Sequence, residues 1–303
     1  MLRYLAQSID IVPAHLRRGA VRRGAAARSR PGIRFVDLGD CMVRLRDAGG
    51  DGPSLLLAAD PPVPVERYDA LLAELAGRWR AAVFEVPGFG ASLPRIGFRY
   101  SLPRAVARVE RLLEAVPGAP HVLVMPCVTG YVALALAARR PELVRALVLP
   151  QMPTWDDGQR WLAGRDPRHL LRRPLVGQAL LHRVRRRRIA DWYAAALGPQ
   201  GERAAFIDDT LRHFDDGGAF PLASAFQDYL TDPAPLPSTL VAPLLLPWGD
   251  ADPSHRGTDF TRIKGVARDA RVMRFAGCGH FPELEDPARF RAALDEFHPE
   301  ARA

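Results

Sequence analysis

Apolar and polar positions along the chain follow two periods. Residues 33–37 and 41–46 alternate between apolar and polar, the period of two expected of strands with one covered face, and predict a hairpin at a sheet edge. Asp51-Gly52-Pro53 supplies a turn, and residues 54–58 then run almost wholly apolar, as a strand buried on both faces does. Residues 65–79 predict a helix with Tyr68, Leu71, Leu72 and Leu75 on one face. Further buried strands are predicted at 81–86, 121–124, 144–149, 244–248 and 272–275. Helices are predicted at 102–116, from Gly130 onward, at 258–267 and at 287–297. Strand and helix in alternation call for an α/β fold with a mostly parallel sheet covered on both faces.

That rhythm stops between residues 151 and 238, where only helix-like segments appear, around 174–197 and 202–214, Arg-rich early and Asp-rich late. The first 30 residues also stand apart. Leu2, Leu5 and Ile9 have helix spacing, and Arg17, Arg18, Arg22, Arg23, Arg28 and Arg30 follow them. This segment reads as a basic arm that packs on a partner subunit in a homodimer, closes over a site, or lies along the surface.

Composition narrows the class. The chain has 303 residues, a formal net charge of +8 and 48% hydrophobic content, ordinary for a globular protein. Its basic residues are almost all Arg, Lys264 being the sole lysine, so the charge reads as a solvated surface, with no nucleic-acid partner expected. No apolar run is long enough to cross a bilayer, no membrane partner is expected, and the first residues lack the sustained apolar core of a secretory signal. Cys41, Cys127 and Cys278 form neither a disulfide framework nor a C-x-x-C metal pair. A reducing cytoplasm is the expected compartment, and neither a metal nor a cofactor is expected.

The most informative stretch is His121-Val-Leu-Val-Met-Pro-Cys127-Val-Thr-Gly130, a short strand, a sharp turn and the start of a helix rich in small residues. Downstream come Gly249-Asp-Ala-Asp252-Pro after one predicted strand and Gly277-Cys-Gly-His280-Phe-Pro after the next. Upstream, Pro87-Gly-Phe-Gly-Ala-Ser92 follows the strand at 81–86. On these residues the chain resembles the α/β-hydrolase family, in its esterase and C–C hydrolase branch, from about Ile33 to Phe297. In that family a G-x-S-x-G elbow carries the nucleophile, followed in chain order by an acid and a histidine. Here Met125, Cys127 and Thr129 replace the first Gly, the Ser and the second Gly. Ala58-Ala59 replaces the usual His-Gly pair ahead of the oxyanion hole, and Glu85 stands where Asp is usual.

The resemblance implies an α/β-hydrolase fold with an inserted helical cap. It divides the chain into the arm (1–30), a first core part (31–150), the cap (151–238) and a second core part (239–303). It also implies a Cys127–His280–Asp252 triad, with Asp250, Asp156 and Asp157 as rival acids, and an oxyanion hole formed by the N–H groups of Val128 and Asp60. Cys278 reads as structural. The run of arginines from Arg183 to Arg188 is either a solvated helix face or an anion site for phosphopantetheine or a carrier protein.

A thiol at the elbow suits cleavage of an acyl C–O or C–S bond in a small acylated metabolite, hydrolysis or acyl transfer, more than broad esterase work. A faint likeness to polyketide tailoring enzymes, in residues 126–131 and 151–155, gives a second reading. There His280 or the Cys127 thiolate removes a proton α to a carbonyl and an acyloxy group leaves, as acetate does from an acetylated tetronate. A third reading is a non-catalytic small-molecule receptor on the same fold.

Overall fold

The computed structural model describes residues 2–27, 30–231 and 240–297. Helix α1 (Leu2–Ala27) comes first, then β1 (Ile33–Asp37), β2 (Met42–Gly49), β3 (Ser54–Ala59), α2 (Asp69–Leu75) and β4 (Arg80–Glu85). Next are α3 (Leu102–Ala115), β5 (His121–Val124), α4 (Gly130–Arg139) and β6 (Val144–Val148). Four helices follow without a strand: α5 (Trp155–Arg165), α6 (Val176–Ala196), α7 (Arg203–Asp215) and α8 (Leu222–Asp228). The chain then returns through β7 (Leu244–Gly249), β8 (Arg271–Phe275), α9 (Pro282–Glu285) and α10 (Pro287–Phe297).

The eight strands form one sheet in the order β1-β2-β4-β3-β5-β6-β7-β8. Only the β1–β2 and β2–β4 pairs are antiparallel. The apolar runs are continuous because both faces of the sheet are covered. Leu56, Ala58, Leu123 and Leu147 face one core with Val109 and Leu112 of α3 and Val132 and Leu136 of α4. The alternate residues Leu55, Leu57, Val122 and Val124 face the other, with Leu71 and Leu75 of α2 and Phe290 and Leu294 of α10. Each Val, Leu or Phe among them removed from water contributes about 1.5–3 kcal/mol, so the sheet is a stiff base for the loops at its C-terminal edge.

Two predicted helices are shorter than their apolar spacing implies. The one at 65–79 begins as a 3-10 turn, Val65–Tyr68, and α2 stops before Gly77, whose φ of +75° ends it in the left-handed region. At 258–267 the structure has a 3-10 segment, Phe260–Gly265, opened by the Asp259 side chain accepting from Thr261 N–H. Helices α5–α8 are the insert between β6 and β7; the predicted boundary near residue 238 lies outside the described residues. α1 lies against α6 and α8 of this insert, with Ile11, Ala14 and Val21 buried and Gln7 Nε2 donating to Asp228 Oδ2 at 3.2 Å. Its outer face leaves Leu2, Leu5 and Leu16 exposed. Among the described residues no helix is long and apolar enough to cross a membrane.

Candidate active site

β5 delivers the chain to a sharp corner. Pro126 is extended, Cys127 has φ of +49°, and a 3-10 turn, Cys127–Thr129, runs into α4. A non-glycine residue in the left-handed region costs on the order of 1–3 kcal/mol and is kept only where its surroundings impose it. Here the Cys127 N–H donates to Pro150 O at 2.8 Å, and Tyr229 Oη donates to Val128 O at 2.9 Å. Gly130 is needed for space, since a Cβ there would stand 2.6 Å from Met152 Sδ. The corner sets the Cys127 side chain at the start of a helix, where partial positive charge favours an anion. Cys127 is nevertheless only 3% exposed, so the elbow is roofed rather than open.

His280 enters from the loop after β8. Its N–H donates to Ala196 O at 2.7 Å, at the last residue of α6. Glu285 steadies the same loop by accepting from the N–H groups of Gly198, Gly279 and Phe281 at 2.8, 3.0 and 3.2 Å. The His280 Nδ1–H donates to Asp252 Oδ2 at 2.7 Å. Asp252 in turn accepts from Ser254 N–H at 2.7 Å and from Gln151 Nε2 at 2.8 Å, while Gln151 Oε1 accepts from Gly249 N–H at 2.7 Å. Thus Gln151, wholly buried with φ of +51°, clamps the end of β7 to the acid. The rival acids are engaged elsewhere. Asp250 accepts from Arg274 Nε at 2.9 Å, Asp157 accepts from Thr154 Oγ1 and pairs with Arg160, and Asp156 is exposed.

Cys127 Sγ and one ring nitrogen each of His255 and His280 lie within 4.8 Å of one another. His255 follows Asp252 by three residues. Its Nε2 is 4.0 Å from Cys127 Sγ, its Nδ1 is 2.9 Å from Thr258 Oγ1, and its ring stacks on His280 with centroids 5.2 Å apart. Trp161 of α5 stacks on the other face of His255 at 5.7 Å, and Trp192 of α6 meets His280 edge-on at 5.0 Å. Arg165 lies over both indoles, 5.9 and 5.5 Å from their centroids. The insert therefore roofs the cluster.

Asp60, at the end of β3, is placed differently from the oxyanion role expected of it. Its N–H points to Tyr68 Oη at 3.4 Å, and the next residue facing the cavity, Pro61, has no N–H to offer. The Asp60 N–H is thus engaged by Tyr68, whereas the Val128 N–H lies close enough to favour the Cys127 thiolate. The Asp60 carboxylate faces inward instead, with Oδ2 3.2 Å from His280 Nε2, and neither atom makes a well-aligned hydrogen bond.

The charges follow from this packing. Burial pushes the Cys127 thiol up, against the pull of His280. Burial would drive His280 down, but Asp252, Cys127 and Asp60 outweigh it and hold the imidazolium well above the ordinary histidine range. His255 is lowered to about 3 by burial and by the His280 charge, so it is a neutral imidazole. Asp252 is buried too, yet His280 keeps its carboxyl well below the usual range.

Beside Cys127 and His280 lies a cavity of about 120 Å³ walled by Phe84, Phe98, Met125, Val132, Phe226 and Tyr229, with few polar atoms. Cys41 and Cys278 lie outside it. Behind the glycine-rich turn, Glu85 accepts from Ala91 N–H at 2.6 Å and from Arg44 Nη1 at 3.0 Å, which fixes the wall carrying Val86 and Phe89. The arginine run of α6 faces outward, where Arg186 pairs with Asp215 at 2.6 Å and Arg187 with Asp191 at 3.9 Å.

His255, Gln151 and the Asp60 carboxylate are not legible as site residues from the motifs. His255 carries one available signal, its position three residues beyond Asp252 in the same loop.

The sequence matches the alpha/beta hydrolase family over residues 62–293, and the chain belongs to that family. Among solved structures it is similar to epoxide hydrolase A from Mycobacterium thermoresistibile, with 21% identity, a TM-score of 0.73, and coverage of 89% of this chain and 98% of that one. Cfl2 from Burkholderia cenocepacia gives 22%, 0.70, 88% and 95%. The haloalkane dehalogenase DbeA-M1 loop variant from Bradyrhizobium elkanii gives 18%, 0.67, 89% and 97%. These likenesses carry the fold. No curated protein matches the chain.

Proposed function

We propose that the protein cleaves an acyl C–O or C–S bond of a small, largely apolar acylated metabolite, with Cys127 as nucleophile, His280 as proton carrier and Asp252 as the group that orients it. The observation that carries this reading is the His280–Asp252 bond of 2.7 Å, set within 4.8 Å of a thiol held at a strained strand-to-helix corner. Substrate binding in the cavity displaces His280 Nε2 from Asp60 toward the thiol, and the Nε2 proton stays behind on the Asp60 carboxylate, which leaves a neutral imidazole. The imidazole takes the thiol proton as sulfur attacks the carbonyl, and it returns that proton to the departing oxygen or sulfur. Val128 N–H supports the oxyanion. Water or a second acceptor then releases the acyl group.

The Asp60 contact favours one other reading. A carboxylate against Nε2 makes Asp60 and His280 an acid–base pair that works without the thiol, as elimination of an acyloxy group from a carbon β to a carbonyl requires. The two are separated by intact-protein mass spectrometry with a short acyl thioester and by product mass spectrometry with a β-acyloxy ketone. Covalent cleavage predicts an acyl mass on the wild type and a loss of turnover on the order of 10³-fold or more in Cys127→Ala. Equal turnover by the two proteins, without an adduct, would refute it. A product that gains a double bond would establish elimination.

A further inference from the structure

We propose that Cys127, His255 and His280 form a binding site for a thiophilic divalent cation, Zn²⁺ being the best fit. Their three donor atoms are buried, converge from three separate loops, and lie within 4.8 Å of one another. Tetrahedral zinc with one sulfur and two nitrogens sets its donors about 3.6 Å apart, so modest side-chain rotation closes the set. The 4.0 Å between Cys127 Sγ and His255 Nε2 is already near that span.

The surroundings match what metal-bound histidines need. Each ring is held at Nδ1, His280 by Asp252 at 2.7 Å and His255 by Thr258 Oγ1 at 2.9 Å, which leaves the two Nε2 atoms as the nitrogens available to a metal. His280 Nε2 is also a buried polar atom without a hydrogen bond, as is Asp60 Oδ2 beside it. Such atoms are costly to leave unsatisfied, and a cation at this point would satisfy both, one by coordination and the other by charge. Thiolate and imidazole select zinc over magnesium or calcium. On binding, the metal–sulfur and metal–nitrogen bonds replace the protons on Sγ and on His280 Nε2, which leave to solvent.

Occupancy would remove the thiol and the proton carrier from the chemistry proposed above. Zinc would thus be a reversible blocker of acylation, a consequence that rests on that reading while the site itself does not. Zinc chloride titrated into metal-free protein against a coloured chelator should show one ion per chain, not displaced by Mg²⁺ or Ca²⁺. Co²⁺ in its place should give the strong visible bands of a four-coordinate ion and a near-ultraviolet sulfur-to-cobalt band that Cys127→Ser abolishes. His255→Gln should weaken zinc tenfold or more. Thr258→Val, which removes only the hydroxyl steadying His255 and serves if His255→Gln does not fold, should weaken it about tenfold.

Absence of stoichiometric zinc, a cobalt spectrum without the sulfur band, or unchanged affinity in the folded variants would overturn the site. Undiminished thioester acylation of the zinc-loaded protein would overturn the blocking role. Zinc bound as described to a protein that never acylates would leave the site standing and remove the acyl chemistry.

Discussion

Glu283, in α9, is 1% exposed, and neither carboxyl oxygen has a hydrogen-bond partner. Burial, with the nearby Asp60 charge adding to it, raises its pKa from 4.5 to about 8. The folded chain therefore holds a proton there that the unfolded chain releases above pH 4.5. A carboxyl raised on folding makes stability fall as pH rises, here from 4.5 until the loss levels off above about 8. At about 1.4 kcal/mol per pH unit, the full interval is worth about 5 kcal/mol. Glu283→Gln keeps the shape and the neutral form, so it should remove that slope. The difference in unfolding free energy, variant minus wild type, should be constant below pH 4.5, grow by about 3 kcal/mol by pH 7, and level off near 5 kcal/mol above pH 8. Any fixed cost of burying the amide cancels from this growth. Urea titrations of both proteins at matched pH values from 4.5 to 9 measure it. Parallel curves across that range would show that Glu283 ionises in the folded protein, and the reasoning would fail.

Glu85 should show the opposite sign. Burial alone would raise it, but His213 and Arg44 overcome that and hold it at about 2. Its stabilisation, about 3 kcal/mol, is present above pH 4.5 and lost as pH falls through about 2. Glu85→Gln should remove that acid limb in circular-dichroism titrations and cost about 3–5 kcal/mol at neutral pH, since Arg44 keeps a buried charge with one partner fewer; an unaltered acid limb would contradict this. Gln151→Leu, which strips a donor from Asp252 and an acceptor from Gly249 N–H, should cost about 1–3 kcal/mol in urea and slow Cys127 acylation at least about tenfold. An unchanged acylation rate would mean that Asp252 orients His280 without this clamp.

The parts of this protein legible in its sequence are those governed by local pattern. Continuous apolar runs such as Leu55-Leu56-Leu57 mark strands covered on both faces, because alternate side chains enter opposite cores. The missing strands after Val148 mark the helical insert for the same reason. Chain order and turn chemistry bring Cys127, Asp252 and His280 forward as candidates, since each follows a strand at the sheet edge where sites collect. Position along a strand says nothing about which way a backbone N–H points, and here Asp60 departs from expectation. Its N–H turns to Tyr68 of the following 3-10 turn and its carboxylate turns to His280 from the loop after β8, contacts that lie outside residues 58–62.

His255 escapes sequence reading for a related reason. A histidine in a polar loop has no periodicity, and its place beside Cys127 depends on Trp161 from α5 pressing its ring onto His280. The insert therefore does more than close the cavity. Through Trp161, Trp192 and the Ala196 carbonyl it sets where both imidazoles stand relative to the sulfur. Three groups that could each be structural in isolation meet as one buried cluster under this roof, so the insert shapes the candidate site as much as the sheet edge does.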